Sequence, residues 1–136
     1  LQTHAAGPSE QKTLRLNPGD PVHVYEGLSL ADGQPIALFR KVFSATRFPH
    51  LLAHLTDTPS VTVALQRGGV ADYTRASTRL KAKLANATQA LHLKIAEGAP
   101  ILHTTSINID PDGAPVEFGD TWFAGDKVTL TLDEHT

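Results

Sequence analysis

Between Tyr73 and Lys83 the odd positions hold Tyr73, Arg75, Ser77, Arg79, Lys81 and Lys83, and the even positions hold Thr74, Ala76, Thr78, Leu80, Ala82 and Leu84. Side chains of a strand alternate between its two faces, so this spacing predicts Arg75, Ser77 and Arg79 on one side, with Tyr73 at its head. Two guanidiniums with a hydroxyl between them suit a phosphate or phosphonate, held through charge-assisted, bidentate hydrogen bonds. A solvated outer face has the same alternation, and Lys81 and Lys83 extend the stripe in that sense. A second group is Glu117 with Ser106, near Thr104, Thr105 and Asn108. A carboxylate among hydroxyls can accept from a ligand hydroxyl or amine; a surface cross-strand pair reads the same way. His50 and His54 have the i, i+4 spacing that can chelate a metal on a helix. No Glu follows His50 as metalloproteases require, and His23, His92 and His103 are scattered. No metal and no cofactor is expected.

These groups need a scaffold, and the chain repeats one. Gly19 to Phe48 and Gly98 to Val128 share a pattern. Gly19-Asp20-Pro21-Val22 answers Gly98-Ala99-Pro100-Ile101, Asp32-Gly33-Gln34-Pro35-Ile36 answers Asp112-Gly113-Ala114-Pro115-Val116, and Phe43 answers Phe123. The offset is 79 residues before the turn (19 to 98) and 80 after it (35 to 115), so one residue is inserted at the second turn. Asp-Gly between alternating segments marks a β-hairpin, because Gly supplies the positive φ of a tight turn. Leu14 and Leu16 precede Gly19 as Leu93 and Ile95 precede Gly98. The unit is therefore helix, Gly-x-Pro, strand, Asp-Gly turn, Pro, strand. Two copies imply one pseudosymmetric domain and not a solenoid, which needs at least three.

In chain order, residues 1–7 read as an unstructured lead-in and 1–8 as lead-in or linker, with the folded domain at 9–136. Ser9 is expected to cap a short helix to Leu14 or Leu16. Strands follow at about 21–31 and 34–44, a helix over 47–55 with Phe48, Leu51, Leu52 and Leu55 on one face, and a helix from Thr58-Pro59-Ser60 to Gly68-Gly69. Residues 70–85 read as a long strand and Asn86 as the cap of a helix over 87–95. The second hairpin and a last strand at about 127–133 complete the chain. About six strands and four short helices, with hairpins dominant, give an α+β fold with a mostly antiparallel sheet. Phe118, Trp122 and Phe123 are read as core.

Composition narrows the function. With 136 residues, 40% apolar and 19% charged, the chain suits one domain with a single core. A net charge of −2 argues against a nucleic-acid-binding module, which is usually basic. The absence of Cys excludes disulfides, zinc-thiolate sites and thiol catalysis. No apolar run is long enough for a membrane helix, and no signal-peptide pattern is present. No nucleophile elbow, phosphate-binding P-loop, dinucleotide fingerprint or helix-turn-helix appears, and no catalytic residue is assigned. Leu1 at the start and the lack of any Met suggest a fragment of a longer protein.

With GAPIL and DPDGAPVEFGDTWFAGDKVTLTL, the second copy resembles the end of the UTRA domain, the effector-binding domain of HutC-type regulators in the GntR superfamily. Gly113, Pro115, Val116, Glu117, Phe123, Gly125, Asp126 and Lys127 match its pattern. FSATRFPHL (43–51), SVTVAL (60–65) and GGVADYTRASTRL (68–80) are similar to the PhnF-like branch, which regulates phosphonate metabolism. The resemblance implies a chorismate-lyase-like fold, a small and usually anionic effector, a homodimer, and a winged-helix DNA-binding domain before Leu1. It implies a cytoplasmic bacterial regulator with no membrane partner. Relatives that bind sugar phosphates often carry Arg at the positions of Gly27 and Ser29 and Glu at that of Phe39, and a Tyr at that of Phe123. Without these, the charge of a phosphonate falls to Arg75 and Arg79, with Arg40 next, and the pocket is expected to need a segment upstream. A chorismate-lyase-like enzyme using Glu117 and a ligand-free dimerisation domain are the rival expectations. A pocket filled by Phe39, Trp122 and Phe123 would favour the latter.

Overall fold

The computed structural model describes residues 1–131. Six strands form one antiparallel sheet in the order β1-β2-β3-β6-β5-β4. In chain order the elements are β1 (Gln2–Ala5), α1 (Pro8–Leu14), β2 (Pro21–Ala31), β3 (Gln34–Ser44), α2 (Leu51–Asp57), α3 (Val61–Arg67), β4 (Thr74–Leu84), α4 (Ala87–Leu93), β5 (Pro100–Ile109) and β6 (Pro115–Ala124). The α+β expectation and the antiparallel sheet stand.

The repeat is longer than the sequence reading made it. Residues 2–5 are not a free lead-in: they pair with β2, from Gln2↔Val24 to Ala5↔Pro21. Each half is thus edge strand, helix and hairpin, β1-α1-β2-β3 and β4-α4-β5-β6, joined where β3 pairs with β6. Arg40 and Asp120 are register partners across that seam. They are also 80 residues apart, so the pseudo-twofold axis passes between them. Both repeat helices end in left-handed residues, Arg15 at φ 57° and Lys94 at φ 54°. Those conformations satisfy the last carbonyls and turn the chain into the next strand. The first hairpin turns on Asp32 and Gly33, both at positive φ, as a two-residue turn requires. The inserted residue at the second turn leaves only Gly113 there, and Asp110 Oδ1 accepts from the amides of Asp112 and Ala114, both at 2.9 Å.

Several boundaries move. Helix α1 starts at Pro8, with Gly7 as its N-cap and no side-chain cap. Proline at the first position loses no hydrogen bond there, so Ser9 is not needed as the cap. Residues 47–50 form turns, and α2 begins only at Leu51. Ser60 caps α3 through its hydroxyl, and Asn86 with Gln89 forms the expected capping box. Strand β4 begins at Thr74, because Val70 is buried against Leu65 and its neighbours before the strand starts. Residues 127–131 form no strand, and the remainder of the expected last strand lies outside the described residues.

Helices α1 and α4 lie on one face of the sheet. There Leu14 packs with Val22, Val24 and Val42, and Leu93 with Ala85, Ala90 and Ile101. Phe118 and Trp122 pack on these two clusters from the sheet, partly buried. The α2–α3 pair closes a third cluster around Phe43, Phe48, Leu51, Leu65 and Val116, against which Tyr25 and Tyr73 rest. The pair is pinned by Arg47, whose guanidinium donates to Asp110 Oδ2 at 2.6 Å, and by His23, whose ring bonds the Phe48 carbonyl at 3.0 Å.

Candidate functional site

Register settles which side chains meet. In β4 the pairing slips between Arg75, opposite Asn108, and Ser77, opposite Ile107. A bulge places two residues against one, which breaks the strict alternation of faces. Arg75 consequently shares a face with Thr78, and Ser77 and Arg79 point to the other. The predicted single stripe of Arg75, Ser77 and Arg79 is therefore corrected: the bulge divides it.

Arg75 lies on the face opposite α1 and α4. Its Nε donates to Asn108 Oδ1 at 2.7 Å and its Nη1 to Thr78 Oγ1 at 3.0 Å. Asn108 Nδ2 in turn donates to Glu117 Oε1 at 3.0 Å. Asn108 and Glu117 are 4% and 5% exposed, so this relay is a buried polar network whose outer end, Arg75, meets solvent. Two of the five guanidinium N–H donors are used, leaving the others for a ligand. Burying the carboxylate is tolerable because its partner is fixed by a second hydrogen bond.

The next row across this face is Tyr25, Lys41, Gly119, Ser106 and Thr78. Gly119 leaves the centre bare. A Cβ built there would stand 3.4 Å from Ser106 Oγ, 3.8 Å from Glu117 Oε2 and 3.9 Å from Lys41 Cγ. Those three groups thus rim a small cradle with a backbone floor. Beyond it, the Phe39 ring lies over Gly27: a Cβ at Gly27 would be 2.6 Å from Phe39 Cζ. Tyr25 flanks the same ring at 5.2 Å between centroids, and Lys41 Nζ sits 5.2 Å from its centre. The site so built holds one carboxylate, two cations, a hydroxyl and an aromatic wall. It has the groups to bind a small anion that also carries an amine or hydroxyl, and among the described residues no acid–base pair is aimed at a common point within it.

The other predicted residues are elsewhere. Ser77 and Arg79 line a cavity of about 450 Å³ on the helix side, with Lys12 and Thr105. Arg40 also faces the helices, 3.5 Å from Glu10 Oε1 and 3.9 Å from Glu26 Oε1. Tyr73 rests on the α2–α3 cluster with its hydroxyl 2.8 Å from that of Thr62. Of the seven predicted residues, the structure brings together Arg75, Ser106 and Glu117. Lys41 was not singled out in the sequence; its place two residues after Phe39 becomes informative only once β3 is paired with β6. His50 and His54 lie 6.4 Å apart between ring centroids, and the described residues hold no cluster of three metal-ligating side chains. Trp122 stacks on His103 at 5.0 Å on the helix side, so Phe39, Trp122 and Phe123 do not fill one pocket together. The larger cavity, about 550 Å³ between α4 and the first hairpin, is lined by Leu28, Leu38, Gln89, His92 and Trp122. It reaches Gly27 and Phe39 of the cradle's wall, but its lining holds the Glu26 carboxylate and no Lys or Arg, so the cradle is the better candidate for an anion on chemical grounds.

Known proteins bear on this arrangement. The UTRA domain model matches residues 1–129. The HTH-type transcriptional regulator RB1450 of Rhizobium meliloti (strain 1021) is 34% identical over 136 residues, covering 98% of this chain and 56% of that protein. The chain thus spans little more than half the length of this relative. The fold matches PhnF from Mycobacterium smegmatis with a TM-score of 0.87 at 22% identity, over 98% of this chain and 59% of that one. It also matches a GntR-family transcriptional regulator from Enterococcus faecalis V583, with a TM-score of 0.83 at 20% identity, over 98% and 95% of the two chains.

Proposed function

The chain belongs to the UTRA domain family, and from that premise we propose that it is the effector-binding domain of a GntR-type transcriptional regulator that senses a phosphonate or a related phosphate compound. The relay Arg75–Asn108–Glu117 around the bare floor at Gly119 carries this reading. Arg75 and Lys41 would meet the anionic group. Ser106 and Glu117 would accept from an amine or hydroxyl at the other end, which favours an aminoalkylphosphonate over an inorganic anion. Phe39 takes the space over Gly27, where sugar-phosphate binders of the family often place charge, and this disfavours sugar phosphates.

In this reading the domain acts as a homodimer in the cytoplasm, and DNA is bound by a winged-helix domain outside the present chain. The effector regulates only by preferring one arrangement of the dimer over another. No helix among the described residues is long and apolar enough to cross a membrane.

A thermal-shift panel tests the proposal, with methylphosphonate, 2-aminoethylphosphonate, inorganic phosphate, glucosamine 6-phosphate and urocanate. A ligand at one hundred times its Kd adds about 2.7 kcal/mol of stability, a shift of several degrees for a domain of this size. Phosphonates are expected to give that shift, and Arg75→Ala and Glu117→Gln to remove it while leaving the unliganded midpoint near its original value. A shift that survives both variants places the effector elsewhere. No shift with any compound favours a domain that only dimerises.

A further inference from the structure

The bulge that divides the basic stripe leaves its second half facing a cavity of its own. Lys12 and Thr13 of α1, Ser77 and Arg79 of β4 and Thr105 of β5 surround about 450 Å³ over the ring of Phe118. From this geometry we infer a second anion site, separate from the Glu117 cradle and on the opposite face of the sheet, which takes a tetrahedral oxyanion such as a phosphate or phosphonate group.

The charge balance supports it. Among the described residues, neither Lys12 nor Arg79 has a carboxylate within salt-bridge distance, whereas Arg47 and Arg67 each have one and Arg40 has two. The nearest acidic side chain in the register, Asp120, accepts from His103 Nε2 at 2.8 Å and from Thr105 Oγ1 at 3.0 Å. Its Oδ1 is thereby engaged by two donors of β5 and makes no ion pair with Arg79. Glu10, next along α1, points to Arg40 and does not line the cavity. Two uncompensated cations and the hydroxyls of Ser9, Thr13 and Ser77 match a tetrahedral anion, whose oxygens accept several hydrogen bonds at once. The floor of Phe118 limits water beneath the ligand and strengthens those bonds.

The position gives the site a consequence. It bridges α1, which follows the first edge strand, and β4, the opposite edge of the sheet. An anion held between Lys12 and Arg79 would fasten α1 to β4, a link that no hydrogen bond or ion pair among the described residues provides. The domain's net charge of −2 and the concave shape favour a small anion over a nucleic-acid backbone.

Amide NMR titrations of the 136-residue chain test this, with inorganic phosphate, glycerol phosphate and methylphosphonate as separate arms and chloride at matched ionic strength as control. Saturable shifts are expected at residues 12–13, 77–79 and 105 in at least one arm, and the arm that saturates first identifies the kind of anion. Lys12→Gln and Arg79→Gln should each weaken that response about tenfold, in line with the loss of one charged hydrogen bond, and Arg75→Ala should leave it unchanged. Because Arg75→Ala empties only the effector cradle, failure of one site is distinguishable from failure of the other. Shifts confined to the Glu117 face, shifts indifferent to Arg79→Gln, or shifts reproduced by chloride would each overturn the inference. The peak dispersion of the same spectra reports whether the variants remain folded.

Discussion

The two halves of the sheet have the same scaffold and different chemistry. Leu14 and Leu93, Ala6 and Ala85, and Val22 and Ile101 occupy equivalent places and are all buried. Those positions are what the helix–hairpin unit needs in order to fold. On the face away from α1 and α4 the halves diverge. Where the second half has Ser106 and Glu117, the first has Gly27 and Ala37. A duplicated fold thus keeps its core twice and needs its binding groups once. The half without them supplies a wall instead, through Phe39 and Lys41.

The sharpest way to break this comparison is at Phe43 and its counterpart Phe123. Phe43 is fully buried in the α2–α3 cluster, and Phe123 is only partly buried on the open face. Phe43→Ala should cost about 3–5 kcal/mol in urea denaturation, from lost transfer energy and the cavity left behind. Phe123→Ala should cost at most about 2 kcal/mol, because less area is lost. Equal losses would mean that the halves share the core role at this position as well.

The next test concerns the wall. Gly27→Ala drives a methyl into the Phe39 ring, which Tyr25 and Lys41 hold from other sides. Overpacking of this kind costs about 1–3 kcal/mol. Phe39→Leu in the same chain should return much of that, since the two residues are in contact and their effects are coupled. If Gly27→Ala is neutral alone, the ring moves freely and does not define one end of the cradle.

How much of this was legible in the sequence follows from which interactions are local. The Asp-Gly turns, the capping box at Asn86 and the 79-residue offset are short-range signals, and they gave the hairpins, the helices and the pseudosymmetry. Strand β1 was missed because four residues, three of them exposed, carry no hydrophobic alternation of their own; pairing with β2 makes them a strand. The split of Arg75 from Arg79 was missed because a bulge arises between two strands and Ala76 bears no mark of it. Glu117 and Ser106 were visible as polar residues in a hairpin. That they face Lys41 and Arg75 depends on the order of strands in the sheet, which alternation within one strand does not reveal.

The smallest expected effect separates His23 from its counterpart Leu102. Both occupy the same place in the repeat and the same face, but His23 is buried with its Nδ1 2.8 Å from the Thr3 hydroxyl and its Nε2 at the Phe48 carbonyl. With Nε2–H donating to that carbonyl, Nδ1 accepts from Thr3, and the ring is neutral. Burial lowers its pKa below the ordinary 6.5, and the bond to the Phe48 carbonyl opposes that shift only in part. The unfolded chain therefore binds a proton on His23 at a higher pH than the folded one does. Stability from this group is fully present above about pH 6.5 and falls as the pH drops toward the folded pKa, since protons then favour the unfolded chain. The carboxylates of Asp57 and Asp110, lowered chiefly by their hydrogen bonds to Arg67 and Arg47, lose their contributions only in a far more acidic window. His23→Leu makes the first half like the second at this position. It should lower stability at pH 8 through the orphaned Phe48 carbonyl, yet decline less steeply than the parent chain between pH 7 and 5 in urea midpoints. Parallel curves would show that the ring titrates normally in the folded state, and that the tie from β2 to the α2–α3 pair does not depend on a neutral histidine.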